Sequence, residues 1–285
     1  MMAFLRLIAW SHVDAKFRRI VMSGVAVLTL CAAMPLTGSA GSKRDLATAE
    51  KSSNDLAPDA GRDALRQIVQ NQCVVHWTQK QDPTPCEKVF LADSKTIASG
   101  YAILADQKGG AHYLLIPTQT MAGVDASELL DPDAPNYFAE AWHARSLITK
   151  FVGHPVPRTA IGLAVNTARS RSQDQYHIHI ECLRQDVVDS LHAVTQQITE
   201  TWSSVTVAGS AYSAMKIQGD GLDGSNPYEL LAKLNPDARH RMGDYTLVVA
   251  GAQFSSGPGF VLITGTGPTG ELLLDSSCAA AGGGG

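Results

Sequence analysis

The sequence predicts an α+β domain: an antiparallel sheet with helices packed on one face, stapled by disulfides. Three observations carry that reading. Short apolar or alternating runs lie between Gly/Pro turns, a few segments carry apolar residues at helical spacing, and four cysteines are spread through both kinds of segment. The chain of 285 residues is 45% hydrophobic and 18% charged, enough to bury one sizeable core.

Taken in order, residues 62–72 place Leu65, Ile68 and Val69 at helical spacing and run into Cys73. Residues 101–104 and 112–116 read as two strands. The turn Gln107-Lys108-Gly109-Gly110 between them makes a hairpin, and Pro117 ends the second strand. After the Asp131-Pro132 turn, residues 136–151 carry Phe138, Trp142 and Leu147 among helix formers, an amphipathic helix. Residues 160–165 and 176–183 are two further strands, and 184–202 are again helical in period. A Gly/Pro-rich loop, a short helix over 228–234 and strands over 245–250 and 260–264 complete the domain.

The first forty residues differ from the rest. Lys16, Arg18 and Arg19 precede an uncharged run over 20–34, followed by Pro35 and the small-residue exit Gly38-Ser39-Ala40. These are the parts of a secretory signal, and the run to Ala40 is also long enough for an uncleaved anchor. Residues before Lys16 add nothing to such a leader, so the start is expected further in. Cys31 follows Leu30, which argues against lipidation. Residues 1–40 are therefore read as a signal peptide or membrane anchor, 41–58 as a flexible linker, 59–278 as the main folded domain and 279–285 as a disordered tail.

Export agrees with the cysteines. Outside the leader stand Cys73, Cys86, Cys182 and Cys278, an even number that suggests two disulfides with three possible connectivities. The polar loop between Cys73 and Cys86 favours that pair, leaving Cys182 with Cys278. No two cysteines have zinc-knuckle spacing. The charge balance, Lys+Arg 23 against Asp+Glu 27 with net -4, argues against a nucleic-acid partner.

The segment Gln175-Tyr176-His177-Ile178-His179-Ile180-Glu181 carries the chemistry. In a strand, His177 and His179 share one face while Tyr176, Ile178 and Ile180 share the other. The apolar set buries, and the imidazoles are presented by a rigid element. Two structural histidines, a chelating pair and a phosphorus-attacking nucleophile with a phosphate-binding neighbour all fit this pattern. The preceding loop, residues 166–173, supplies Asn166, Arg169, Arg171 and three Ser/Thr hydroxyls, groups suited to a phosphate, and favours the nucleophile.

This unit resembles the histidine-triad superfamily, and in particular the bacterial CDP-diacylglycerol diphosphatases. The likeness takes in the Cys73/Cys86 loop, residues 113–118, Asp131-Pro132, Pro135-Asn136, Phe138, Trp142 and Ala144-Arg145. It continues through His177-Ile178-His179-Ile180, Cys182, Arg184, Asp186-Val187, Met242-Gly243 and residues 260–262. The resemblance implies hydrolysis of CDP-diacylglycerol to CMP and phosphatidate, with His177 as nucleophile and His179 on the phosphoryl oxygens. It implies no metal and no cofactor, and a domain on the periplasmic side of the bacterial inner membrane, acting at the membrane surface. Gln175 stands where the triad has its first His, a departure in which the amide keeps hydrogen-bonding capacity. Asn166 falls where the superfamily has a loop Asn. An apolar lip for the lipid is expected from Trp77, Tyr137, Phe138 and Trp142. The remaining histidines, His112 among them, are read as ordinary surface or core residues.

Overall fold

The computed structural model describes residues 61–92, 97–267 and 269–282. The expected leader and linker lie outside them. Among the described residues ten strands form one sheet: β1 (Lys88–Phe90), β2 (Tyr101–Ala105), β3 (Tyr113–Pro117), β4 (Ile161–Val165), β5 (Ile178–Leu183), β6 (Ser203–Val207), β7 (Ser210–Gln218), β8 (Thr246–Phe254), β9 (Gly257–Gly265) and β10 (Leu274–Asp275). Their order is β1-β2-β3-β5-β4-β8-β9-β7-β6, with β10 paired to the end of β5. Every pairing is antiparallel. The α+β architecture is as expected.

Alternation along the strands gives the sheet two apolar faces. On the first, Ile103, Leu115, Leu163, Ile180, Val249 and Leu262 pack against helices α3 (Tyr137–Ala144), α4 (Ser146–Val152) and α6 (Pro227–Ala232). The second face is helix-covered too, at its two ends. Over β2 and β3, Ala102, Leu104, Leu114 and Ile116 meet Val69, Cys73 and Val74. Val69 and Cys73 bound the π turn Val69–Cys73 that joins α1 (Ala64–Ile68) to α2 (Val74–Lys80), and Val74 opens α2. Over β4, β8 and β9, Ala164, Val248, Ala250, Val261 and Ile263 meet Val187 and Leu191 of α5 (Gln185–Val194). Between these two covered patches, β5 presents His179 and Glu181, with His177 just before it. The site occupies that gap.

Several boundaries differ from expectation, each for a local reason. The helix expected over 136–151 is two, meeting at Arg145. Asn136 caps the first, its side chain accepting from the Ala139 amide at 3.2 Å. The helix expected to reach 202 ends at Val194, because Thr195, Ile198, Thr199 and Thr201 are β-branched. The Thr195 hydroxyl also donates to the Leu191 carbonyl at 2.5 Å. The chain then forms the β6–β7 hairpin through Ala208 (φ 47°) and Gly209 (φ 77°), a two-residue turn with both residues at positive φ. Strands β8 and β9 run longer than expected because Gly251 and Gly259 belong to them. A Cβ on Gly251 would stand 2.2 Å from the Arg158 carbonyl oxygen.

Both favoured disulfides are present, Cys73–Cys86 with Cα atoms 5.6 Å apart and Cys182–Cys278 with 5.0 Å. The tail does not end its order at Cys278 as expected: Ala279–Ala281 make a 3-10 turn with Ala281 packed against the first-face core. Residues 283–285 lie outside the described residues.

Candidate active site

Strand β5 is hydrogen-bonded on both edges, to β3 through Leu114↔His179 and to β4 through Ala164↔His179. Residues two apart share a face, so His177, His179 and Glu181 stand in one row flanked by Leu114 and Ala164. Ile178, Ile180 and Cys182 point into the first-face core, which fixes the register against slippage.

His177 is buried, and its Nδ1 lies 2.7 Å from the Gln175 carbonyl oxygen. A carbonyl only accepts, so Nδ1 carries the proton and donates, and Nε2 keeps its lone pair. Burial pushes the His177 imidazole below its ordinary value, opposed by the Gln175 hydrogen bond, so the ring is held neutral. His179 is pushed further down, first by burial and then by its neighbours His177 and His112. A neutral imidazole with one bare nitrogen, its ring held by the chain just before β5, can act as a nucleophile.

His112, read from sequence as an unremarkable histidine, is part of the site. It precedes β3, its Nε2 is 3.0 Å from His179 Nδ1 and 3.0 Å from Glu181 Oε1, and its ring stacks on His179 with centroids 5.2 Å apart. Two acidic residues join it. Glu181 is buried, and its carboxyl is pushed up to about 8 by burial and by the charges of Glu271 and Asp106. Glu271, in the turn Gly270–Leu273, has Oε1 3.6 Å from His179 Nδ1. Asn166 joins the turn to the histidine row: its Nδ2 donates to Glu271 Oε2 at 2.8 Å and sits 3.5 Å from His179 Nε2, while its Oδ1 accepts from the Glu271 amide at 3.3 Å.

Two openings meet His177. A cavity of ≈ 240 Å³ has an apolar wall of Leu65, Ile68, Leu104 and Leu114 and a polar rim that includes Lys108, His177, His179 and Glu271. A narrow cleft beside it brings together Asn166, Arg171, Gln175 and His177. Arg171 is held there by Asp125 and by Asp174, whose Oδ1 is 3.1 Å from its Nε. Asp174 also takes both Nε and Nη2 of Arg62, at 2.7 and 2.8 Å, and these hydrogen bonds hold its carboxyl at about 2. The loop before β5 is thus clamped to the start of α1. Arg169 is not brought into either opening; its side chain is exposed, 3.7 Å from Asp244. The Gln175 amide is spent on architecture, donating to the carbonyls of Pro117 and Gln119 at 3.0 and 2.8 Å.

The expected apolar lip is corrected by the burial. Tyr137, Phe138 and Trp142 are packed in the first-face core, across the sheet from the histidines, and Trp77 packs against the β2–β3 patch. Leu65, Ile68, Leu104 and Leu114 supply the apolar wall instead.

The model of a family described as CDP-diacylglycerol pyrophosphatase matches residues 60–282. The chain is also 38% identical to the CDP-diacylglycerol pyrophosphatase of Yersinia pestis over 189 residues, 66% of this chain and 71% of the relative.

Proposed function

The chain belongs to the CDP-diacylglycerol pyrophosphatase family, and from that premise we propose that it works through a nucleotidyl-histidine formed on His177. The reaction is hydrolysis of the pyrophosphate bond of CDP-diacylglycerol, giving CMP and phosphatidate. His177 Nε2 attacks the cytidylyl phosphorus, a nitrogen–phosphorus bond forms, and the bond to the bridging oxygen breaks with departure of phosphatidate. Water then attacks the same phosphorus, the nitrogen–phosphorus bond breaks, and CMP leaves. Charge growing on the equatorial oxygens meets His179, Asn166 and Arg171, the polar groups gathered around His177. The single observation that carries the reading is the Nδ1 hydrogen bond to the Gln175 carbonyl, which leaves Nε2 bare.

Rapid quench with CDP-diacylglycerol labelled on the cytidylyl phosphate tests it. Label is expected on wild-type protein quenched and denatured in base, released on later acid treatment, and none on His177→Ala, since a phosphoramidate is acid-labile and base-stable. Label absent from wild type under single-turnover conditions would mean that water attacks directly.

The proposal extends to location: an exported enzyme held at the bacterial inner membrane by residues 1–40, facing the periplasm, with the membrane surface as partner. The basic cluster before the uncharged run supports it, as do two disulfides, which persist in oxidising compartments. Among the described residues no helix is long and apolar enough to cross a membrane, and the leader lies outside them. The full chain is expected in the membrane pellet with Cys73, Cys86, Cys182 and Cys278 oxidised. Recovery in the cytosol with free thiols would end this part of the proposal.

A further inference from the structure

His112, His179, Glu181 and Glu271 each aim one ligand atom at a common centre, and these four atoms lie within 4.8 Å of one another. The separations are 3.0 Å for His112 Nε2 to His179 Nδ1 and 3.0 Å for His112 Nε2 to Glu181 Oε1. They are 3.6 Å for His179 Nδ1 to Glu271 Oε1 and 3.8 Å for His179 Nδ1 to Glu181 Oε1. Four donors at about 2.0–2.1 Å from a tetrahedral ion stand roughly 3.3–3.4 Å apart. These four separations straddle that figure, and the other two pairs lie within 4.8 Å. Pairwise hydrogen bonds do not account for the arrangement, because His112 Nε2 offers a single hydrogen or a single lone pair and faces two atoms at equal distance.

We infer that these four side chains bind one divalent transition-metal ion, with zinc the best match to two imidazoles and two carboxylates. The surroundings are those of a ligand set. The other ring nitrogen of His112, Nδ1, faces Asp106 Oδ1 at 3.8 Å, a carboxylate on the side away from the other three ligands. The other oxygen of Glu271, Oε2, is fixed by the Asn166 amide at 2.8 Å, which turns Oε1 inward. The second nitrogen of His179, Nε2, stays on the Asn166 side, beside the cavity. Among the described residues the ion-pair partners of buried Glu181 are the two imidazoles, and the one lysine near the group, Lys108, lies at the exposed rim, 3.3 Å from Glu271 Oε1.

The four ligands come from three places: His179 and Glu181 from β5, His112 from the turn that enters β3, and Glu271 from the turn after β9. An ion here ties both rim turns to the catalytic strand. The inference is independent of the histidine nucleophile, since His177 is not among the ligands.

The test is metal content and zinc titration of the purified full chain, after dialysis against chelator, by elemental analysis and calorimetry. One zinc per chain is expected, equally in wild type and in His177→Ala, with a raised melting temperature on loading. Glu271→Gln is expected to weaken zinc binding tenfold or more while keeping the far-UV spectrum of the wild type. Wild-type protein that takes up no stoichiometric zinc overturns the inference, and so does uptake unchanged by folded Glu271→Gln. If Glu271→Gln fails to fold, the wild-type stoichiometry together with His112→Gln decides. A failed quench experiment with intact zinc binding would sink the nucleophile and leave this site standing.

Discussion

His177→Ala is expected to lose CMP release from CDP-diacylglycerol in mixed micelles by about four orders of magnitude or more. Removing a nucleophile from a preorganised site costs roughly 10³–10⁶-fold, and 10⁴ corresponds to about 5.5 kcal/mol of barrier. The loss should fall on kcat, because in the proposed mechanism Nε2 acts in the transition state while the cavity walls remain. Stability should change little. The His177 ring makes its hydrogen bond to the carbonyl of Gln175, two residues earlier in its own chain, and is not a member of the apolar core. A His177→Ala protein that melts with the wild type and retains a tenth of its activity would remove His177 from the chemistry.

The second large effect is on stability. Cys182–Cys278 closes a loop with a sequence separation of 96, and removing such a link releases about 4–5 kcal/mol of loop-closure entropy into the unfolded chain. For a domain of this size each kcal/mol moves the melting temperature by roughly 2–4 °C, so Cys182→Ala with Cys278→Ala should melt roughly 10–20 °C lower. Cys73–Cys86, separated by 13, should contribute less, about 3 kcal/mol. Denaturant melts of the two double variants give the comparison, and equal losses would contradict it. The longer link also has a functional consequence. The segment it anchors carries β10, paired to the end of β5, and lies just after Glu271. Activity of the Cys182/Cys278 variant should therefore fall at temperatures below its melting point.

Much of the site was legible because its backbone is regular. The alternation through Tyr176, His177, Ile178, His179 and Ile180 fixes which side chains go in and which face out, and the structure buries Ile178 and Ile180 in the core with His177 and His179 on the opposite face. The two disulfides were legible from loop composition. His112, Glu181 and Glu271 were not, since nothing near His112 in sequence reports that β3 pairs with a strand 67 residues away. Such non-local register depends on packing, and Glu271 arrives from further still, in a short turn without periodicity. The β6–β7 hairpin was missed because Ser, Thr and Ala dilute the strand signal on an exposed edge, while residues before it keep helical spacing. Arg169 and Arg171 looked equivalent on the same loop. The distinction lies in Asp125 and Asp174, which draw only Arg171 inward.

The position of β5 bears on how the enzyme meets its substrate. A strand bonded to β3 and β10 on one edge and to β4 on the other has no free edge from which to fray. Its amides open only with the sheet as a whole, the highest-energy opening available to a domain. The backbone that carries His179 is therefore fixed on both edges, and His177 directly precedes the paired residues. Adjustment falls to the periphery, to the glycine turn that carries Lys108, where Gly109 and Gly110 have φ of 77° and 81°, and to the start of α1 along the cavity wall. On the proposed mechanism, discrimination between nucleotide lipids would fall to those rims rather than to the His177 nitrogen.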